Sequence, residues 1–332
     1  HRAHTGISFL CLCARAVSPS GTRCPAREGS GPAAVNCSPT TGHAHDGVNT
    51  LARLHILGAG TPQPTAELWG SAYAIEFDEH VVMVDCGPAA THKLLRSGLW
   101  VTDVEWLFFT HHHSDHNVDF PCLMLFRWDQ TTDEPPLQVI GPPPTEALTE
   151  KLFGEKGAFA DDIRARIEDI ASKRCHTQRG GTLPRPGPSY TARDVEPGTV
   201  VEGAGWTATC ARSQHMQPLL WPLAWRFDSE DGSVCFTGDT APCEEVARLA
   251  DGVHTIVANA PLSREALHED LATCIYSAGD AAELAREAGA ERLVLVHLAN
   301  AMVRDREATV GELSVDFGGE IIIPDEGASI AL

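Results

Sequence analysis

The pattern of hydrophobic segments predicts an α/β protein built from layered sheets. Three observations carry this. Runs of short apolar strands are broken by helical patterns in each half of the chain. Strict strand–helix–strand alternation is absent, and no internal repeat is visible. The 332 residues, 43% hydrophobic and 21% charged, are ample for a substantial core.

Regular structure is expected from Leu51 onward. "LARLHIL" (51–57) reads as a strand, followed by the turn-rich "GAGTPQP" (58–64). Strands follow at 72–77 and 81–87, then a helix over 89–97 and the apolar strand "EWLFFT" (105–110). A helix is expected over 117–127, the strand "LQVIG" over 137–141 and a helix over 144–153. "DDIRARIEDIASK" spaces isoleucines at i, i+4 and i+7, which predicts one helix over 159–173. Cys175 to Pro188 reads as a Gly/Pro-rich loop. Strands are expected at 206–212, 222–228 and 233–239, a helix at 242–250 and a strand at 254–258. A helix over 278–288, the strand "RLVLVH" (292–297) and short strands near 320–323 and 328–331 close the chain.

Residues 1–50 are rich in Ser, Pro, Gly, Thr and Ala and read as an N-terminal extension without a fold of its own, leaving 51–332 as the folded domain. "GISFLCLCARA" (6–16) has the outline of a weak signal peptide, and "GHAHD" (42–46) reads as linker. No stretch approaches 18 consecutive apolar residues, so no transmembrane helix is expected. The net charge is −20; the first 50 residues hold four arginines against Glu28 and Asp46, so the body carries about −22. Such a body attracts phosphate backbones only through a local basic patch. The 11 cysteines are dispersed without a C-x-x-C spacing, as expected of free thiols in a reducing, cytoplasmic compartment.

The chemistry is concentrated in "THHHSDH" (110–116), four histidines and an aspartate directly after an apolar strand. In an extended strand exit alternate side chains face the same way, so His111, His113 and Asp115 can converge. The loop then turns and brings His116 beside Asp115, whereas His112 points away. Imidazole and carboxylate are ligands for zinc and similar divalent ions, and four ligands in six residues suit two adjacent metals better than one. A solvated polar loop is a poor alternative, because "WLFF" and "FPCLMLF" anchor it on both sides. Further candidates sit at the ends of other strands: His215, Asp239 and His297.

These motifs make the chain resemble the metallo-β-lactamase-fold hydrolases, within them the ribonuclease Z and arylsulfatase-like branch. The resemblance rests on "LGAGTPQP" (57–64), "VDCG" (84–87), "THHHSDH", "QHMQP" with "LAWRF" (214–227), "FTGDT" (236–240) and "LVLVHLA" (293–299), in family order over roughly 51–300. A dinucleotide-binding reading of "LGAGTPQP" fails, since Gln63 stands where a third glycine is needed. The resemblance implies a four-layer αββα sandwich. It implies that His111, His113 and His215 hold one metal, that Asp115, His116 and His297 hold the other, and that Asp239 bridges them. Asp85, Thr110 and Asn259 are expected behind the ligands, orienting them. The cofactors implied are two divalent ions, zinc first, with manganese or iron able to occupy similar sites.

A pair of such ions lowers the pKa of a shared water towards neutrality, and the hydroxide attacks a phosphorus, sulfur or carbonyl centre. Asp115 is the expected proton acceptor. Two family signatures are altered: a His-Glu pair is replaced by Ala258 and Asn259, and Tyr276 stands in the position of a histidine, where it could donate a hydrogen bond or act as a weak acid. Ser277 beside it, with Arg174 and Arg179 from the basic stretch 173–193, are candidate substrate contacts. Trp69, Trp128, Trp221 and Trp225 read as core or pocket wall, any one of them able to stack on a substrate. The first reading is thus a phosphodiesterase acting on an RNA-derived or small ester. A second keeps the metal site for an aryl sulfate, lactone or organophosphate; a third is a non-catalytic relative that binds nucleic acid or a partner. Because family members often form dimers, a homodimer is part of the expectation.

Overall fold

The computed structural model describes residues 52–332 apart from 64, 78, 79, 133 and 134. The expectations for the extension over 1–50, the apolar stretch 6–16 and the histidine pair at 42–46 lie outside the described residues. A first run of strands comprises β1 (Arg53–Gly58), β2 (Ala72–Phe77), β3 (His80–Cys86), β4 (Val104–Phe108), β5 (Leu137–Gly141) and β6 (Tyr190–Asp194). A second comprises β7 (Val200–Glu202), β8 (Trp206–Arg212), β9 (Leu223–Ser229), β10 (Ser233–Phe236), β11 (Thr255–Asn259), β12 (Arg292–Val296) and β13 (Glu320–Ile322), and β14 (Ser329–Ala331) returns to β1. The helices are α1 (Ala90–Arg96), α2 (Ser114–Asn117), α3 (Phe120–Gln130), α4 (Thr145–Phe153), α5 (Ala160–Glu168), α6 (Ile170–Gln178), α7 (Glu244–Ala250), α8 (Glu269–Ala272), α9 (Ala278–Glu287), α10 (Asn300–Arg304) and α11 (Arg306–Leu313).

Two seven-stranded sheets result, ordered β14-β1-β2-β3-β4-β5-β6 and β13-β12-β11-β10-β9-β8-β7. Each is antiparallel in one half and parallel in the other: β3 to β6 run parallel in the first, β10 to β13 in the second. Their inner faces meet through aromatic side chains, Tyr73 against Phe236 at 5.4 Å between ring centroids and Phe108 against Phe227 at 5.2 Å. The strands alternate accordingly. Val82 and Val84 join this inner core, while Val81 and Met83 face outward onto Leu94, Phe120 and Leu123 of α1 and α3. Burial on both faces explains why β3 reads as the continuous apolar run "VVMV". Helices α7, α9 and α11 cover the second sheet with Val246, Leu249, Ala281, Ala285 and Leu313. Helix, sheet, sheet, helix is the four-layer arrangement expected.

The differences from expectation are local. The helix predicted over 159–173 is two helices, broken at Asp169, which adopts an extended backbone (φ −68°, ψ 139°) and accepts hydrogen bonds from the Ala171 and Ser172 amides. An aspartate N-cap outweighs the continuing isoleucine period. Cys175 to Gln178, expected in a loop, are the last turn of α6. The helix expected over 117–127 starts at Phe120 with Pro121 in its first turn, where a missing amide costs nothing. Strands β6 and β7 were not anticipated; both are short and half exposed, so they lack an apolar signature.

Candidate metal centre

The parallel halves of both sheets end at one edge, and the candidate ligands are grouped there. Asp85 closes β3, the histidine loop leaves β4, Asp239 follows β10, Asn259 ends β11 and His297 follows β12. The carboxyl ends of parallel strands are where open α/β sheets place ligands. His111 and His113 leave β4 on the same side, and the short α2 carries Asp115 and His116 round to them. His111 Nε2 lies 3.1 Å from His113 Nδ1, which in turn lies 3.3 Å from His215 Nε2. His297 Nε2 lies 3.3 Å and His116 Nε2 3.5 Å from Asp115 Oδ2.

The ligand atoms of His111, His113, His215 and Asp239 all lie within 4.8 Å of one another, and so do those of Asp115, His116 and His297. Asp239 also faces the second group: Oδ1 is 3.7 Å from His116 Nε2 and Oδ2 is 3.5 Å from His297 Nε2. The residues singled out in the sequence are thus brought together in two groups, with Asp239 facing both. Donors about 2.0–2.1 Å from a tetrahedral ion stand about 3.3 Å apart, close to the separations seen. His116 Nε2 is buried with no hydrogen-bond partner among the described residues. An orphaned imidazole nitrogen beside two carboxylates is a donor set that suits a cation. These clusters fit a dinuclear metal site.

Electrostatics prepare the donors. Burial, then the charge of His116, holds His111 well below the usual histidine range, so the imidazole is neutral. Burial also opposes charge on His116, but Asp85, Asp239 and Asp115 outweigh it and lift His116 to about 9. Burial pushes Asp239 up, yet the imidazoles of His297, His116, His111 and His215 hold it well below the usual carboxylate range. Asp115 is likewise kept ionised against its burial by the His297 hydrogen bond and the charge of His116.

Behind the ligands, Asp85 is completely buried. Its Oδ2 accepts from His116 Nδ1 at 2.7 Å and from the Thr110 hydroxyl at 2.8 Å, and its Oδ1 accepts the Thr110 amide at 2.8 Å. This fixes the His116 tautomer and leaves Nε2 as the ligating atom. Asn259 Nδ2 donates to Asp239 Oδ1 at 2.8 Å. His112 turns away, as its strand parity requires; its Nε2 contacts Thr145 Oγ1 at 2.8 Å and the Pro142 carbonyl at 3.2 Å, tying the loop to the start of α4.

Three contributors escaped the sequence reading. His215 Nδ1 donates to the Cys274 carbonyl at 2.7 Å, a backbone acceptor with no sequence signature. Gly70 and Gly87 let the chain pass against the Asp115 backbone: a Cβ on Gly87 would sit 2.2 Å, and one on Gly70 2.3 Å, from the Asp115 oxygen. The glycine of "VDCG" was the available signal.

Four expected site residues are not brought to this cluster. Tyr276 is buried in the apolar core, and burial pushes its pKa far up. Ser277 caps α9, exchanging hydrogen bonds with Asp280. Arg179 pairs with Asp129 at 3.0 Å, and Arg174 lies exposed on α6. Of the tryptophans, Trp225 is buried, Trp128 lies under the Arg185 guanidinium, Trp69 under Lys93, and Trp221 is 52% exposed.

Comparison with known proteins agrees with this geometry. Residues 80–298 match the beta-lactamase superfamily domain. Ribonuclease Z from Mycobacterium sp. (strain KMS) is 33% identical over 271 residues, covering 78% of this chain and 88% of the relative. Among solved structures, the metallo-beta-lactamase fold protein YhfI from Bacillus subtilis superposes with a TM-score of 0.63 at 18% identity, covering 84% of this chain and 99% of that one. The short form of human tRNase Z does so with a TM-score of 0.61 at 16% identity, covering 84% and 98%. Seven buried or half-buried donors at one sheet edge, inside a domain matched from 80 to 298, place the chain in the beta-lactamase superfamily, in the ribonuclease Z family.

Proposed function

We propose that the chain is a dinuclear metal-dependent phosphodiesterase of the ribonuclease Z kind, acting on RNA-derived esters from a single hydrolase domain over 51–332. The observation that carries this is the pair of donor clusters sharing Asp239 at the sheet edge. Three imidazoles with a carboxylate in one set, and two imidazoles with a carboxylate in the other, favour zinc over harder ions. When bound, two such ions supply a hydroxide at neutral pH and neutralise charge on the attacked group. His111, His113 and His215 hold one ion; Asp115, His116 and His297 hold the other. Asp85 and Asn259 orient His116 and Asp239, and the ionised Asp115 is the group able to take a proton. The seven described cysteines are all free, which accords with a cytoplasmic, reducing setting. Among the described residues no helix is long and apolar enough to cross a membrane. A homodimer belongs to this reading and is tested by sedimentation.

A second reading keeps the centre and changes the ester. Asn259 is committed to Asp239, and Tyr276 is turned into the core, so neither offers a proton to a leaving oxygen. That favours leaving groups stable as anions, such as the phenolates of aryl sulfates and aryl organophosphates; a lactone, whose leaving oxygen is an alkoxide, would depend on the metals alone. Zinc-replete protein tested on bis(p-nitrophenyl) phosphate beside His113→Ala separates the readings. Turnover lost in the variant supports the phosphodiesterase, and precursor tRNA carrying 3′ trailers is then the next substrate. No turnover with about two metals bound moves the activity to the other esters.

A further inference from the structure

Beside the metal centre lies a second feature that the hydrolytic chemistry does not use. A cleft of about 310 Å³ opens between the two sheets at the same edge. Its walls are flat and apolar: the rings of Pro142, Pro143 and Pro197 and the indole of Trp221, with Arg212 and Glu196 as its charged groups. It is wired directly to the ligand loops. Pro142 accepts from His112, and Leu223 in its wall donates its amide to Thr110 at 2.8 Å. Ser213, two residues before His215, donates to the Pro222 carbonyl at 3.1 Å. Trp221 therefore sits on the same loop as the ligand His215, half exposed, with the Arg212 guanidinium carbon 6.0 Å from its ring centroid.

We infer that this cleft is a subsite for the nucleobase flanking the scissile phosphodiester, with Trp221 as the stacking face and Arg212 drawing in the adjacent phosphate. The inference rests on the phosphodiesterase reading and names the group that reading leaves unplaced. Three arguments select the occupant. An indole and three proline rings lining one cleft suit a planar ring, and every base has a π-face to offer them. Arg212 has no acidic partner within ion-pair distance among the described residues, whereas Arg179, Arg185, Arg226 and Arg264 are all paired. In a chain of net charge −20, an unpaired guanidinium at the mouth of an apolar slot complements an anion carrying a flat group. Glu196, the acid of the cleft, has a carboxylate able to accept from the amino or imino groups of a base.

The test is a specificity ratio. Zinc-replete wild-type protein, Trp221→Ala and Trp221→Phe are compared on thymidine 5′-(p-nitrophenyl) phosphate and on methyl p-nitrophenyl phosphate. The two share a leaving group and differ in the nucleoside, so the Trp221 variants report the part of the preference that depends on stacking. The expected result is a preference for the thymidine ester, by the ratio of kcat/KM values, that falls about tenfold in Trp221→Ala and returns in Trp221→Phe. An unchanged ratio overturns the inference. Thymidine 5′-monophosphate binding by equilibrium dialysis supplies an arm independent of turnover. Binding weakened about tenfold in Trp221→Ala supports the subsite even where neither ester is hydrolysed, an outcome that sinks only the phosphodiesterase reading. Equal binding in both proteins, or none in the wild type, sinks the subsite. An aryl-selective slot is recognised by p-nitrophenyl phosphate displacing the nucleotide with equal affinity, which also overturns the nucleobase assignment.

Discussion

Replacing Asp85 by asparagine tests whether the residues behind the ligands set metal affinity, and it does so with a distinctive pH signature. Asp85 accepts three hydrogen bonds, from His116 Nδ1, the Thr110 hydroxyl and the Thr110 amide, in a fully buried position. The asparagine amide presents NH2 to one of these donors, so the contact facing it is lost. Loss of such an orienting partner costs about 10–100-fold in metal affinity. The charge change acts separately. In metal-free protein His116 is lifted to about 9, with Asp85 the foremost of the groups that raise it against burial. Metal binding at His116 must displace that proton. Wild-type affinity is therefore expected to fall by up to about tenfold per pH unit as pH drops below about 9. Without the Asp85 charge the His116 pKa drops, and proton competition begins at lower pH. The deficit of Asp85→Asn is thus largest near pH 9 and shrinks towards pH 7.

Competition for zinc against a chromophoric chelator, measured from pH 7 to 9, gives both curves. Parallel curves would refute the assignment of the proton to the Asp85–His116 pair. No deficit at pH 9 would refute the orienting role. The same linkage acts on stability. A pKa raised on folding contributes stability that is complete below the unfolded value near 6.5 and is lost as pH rises through about 9. Metal-free wild type should lose this part of its stability over that window, and Asp85→Asn should show a flatter profile.

Other perturbations bear on the scaffold. Gly87→Ala places a Cβ 2.2 Å from the Asp115 oxygen and 2.7 Å from that of Ser71, so the histidine loop must move; metal content by atomic absorption should fall in a protein with native circular dichroism. Asp129→Ala leaves Arg185, 3% exposed and stacked on Trp128, without its carboxylate. With Asp129 itself partly solvated, a loss of about 2–3 kcal/mol and a fall in Tm of several degrees are expected in thermal unfolding. Burial holds the Cys235 thiol up at about 12 and that of Cys210 at about 11, whereas Cys175 is exposed. Alkylation at pH 8 mapped by peptide mass should label Cys175 in the native protein, and Cys210 and Cys235 only after denaturation.

How much of this was readable from the sequence depended on how local the physical cause is. The histidine loop was legible because its spacing alone converges the ligands once the strand before it is recognised, and the same parity expels His112. The strands of the double-layered core were legible because burial on one or two faces leaves an alternating or continuous apolar trace. Strand β6 was not, since an edge strand alternating between half-buried and exposed residues looks like a polar loop. Tyr276 shows a different failure. Its alignment with a family histidine said nothing of where the side chain points. The spacing Ser277-x-x-Asp280 did: it is a helix N-cap signature, and the residue before an N-cap commonly packs back onto the helix. Arg179 was read as a substrate contact because charge on a basic stretch is visible in sequence, while the partner that neutralises it, Asp129, lies on another helix.

The geometry of the strand ends explains why ligands separated so widely in sequence meet at one edge. A parallel strand delivers its last side chain along the pleat, towards a sheet face. Here three of the exits bend instead through the left-handed region. Asp85 has φ of 59°, Gly238 before Asp239 has 57°, and His297 has 56°. For the two non-glycine residues this conformation costs on the order of 1–2 kcal/mol each, and both belong to the centre. Glycine is required at 238 for a second reason, since a Cβ there would lie 2.9 Å from that of Thr110. Each left-handed step falls at, or one residue before, a side chain of the cluster. The strain at Asp85 is offset by three buried hydrogen bonds. His297 has less compensation: its Nε2 makes one hydrogen bond, to Asp115 at 3.3 Å, and faces Asp239 at 3.5 Å, while its Nδ1 is buried without a hydrogen-bond partner among the described residues. In the proposed centre a metal at Nε2 would add the contact that this strained residue lacks, so the His297 backbone is expected to be the one that depends most on metal.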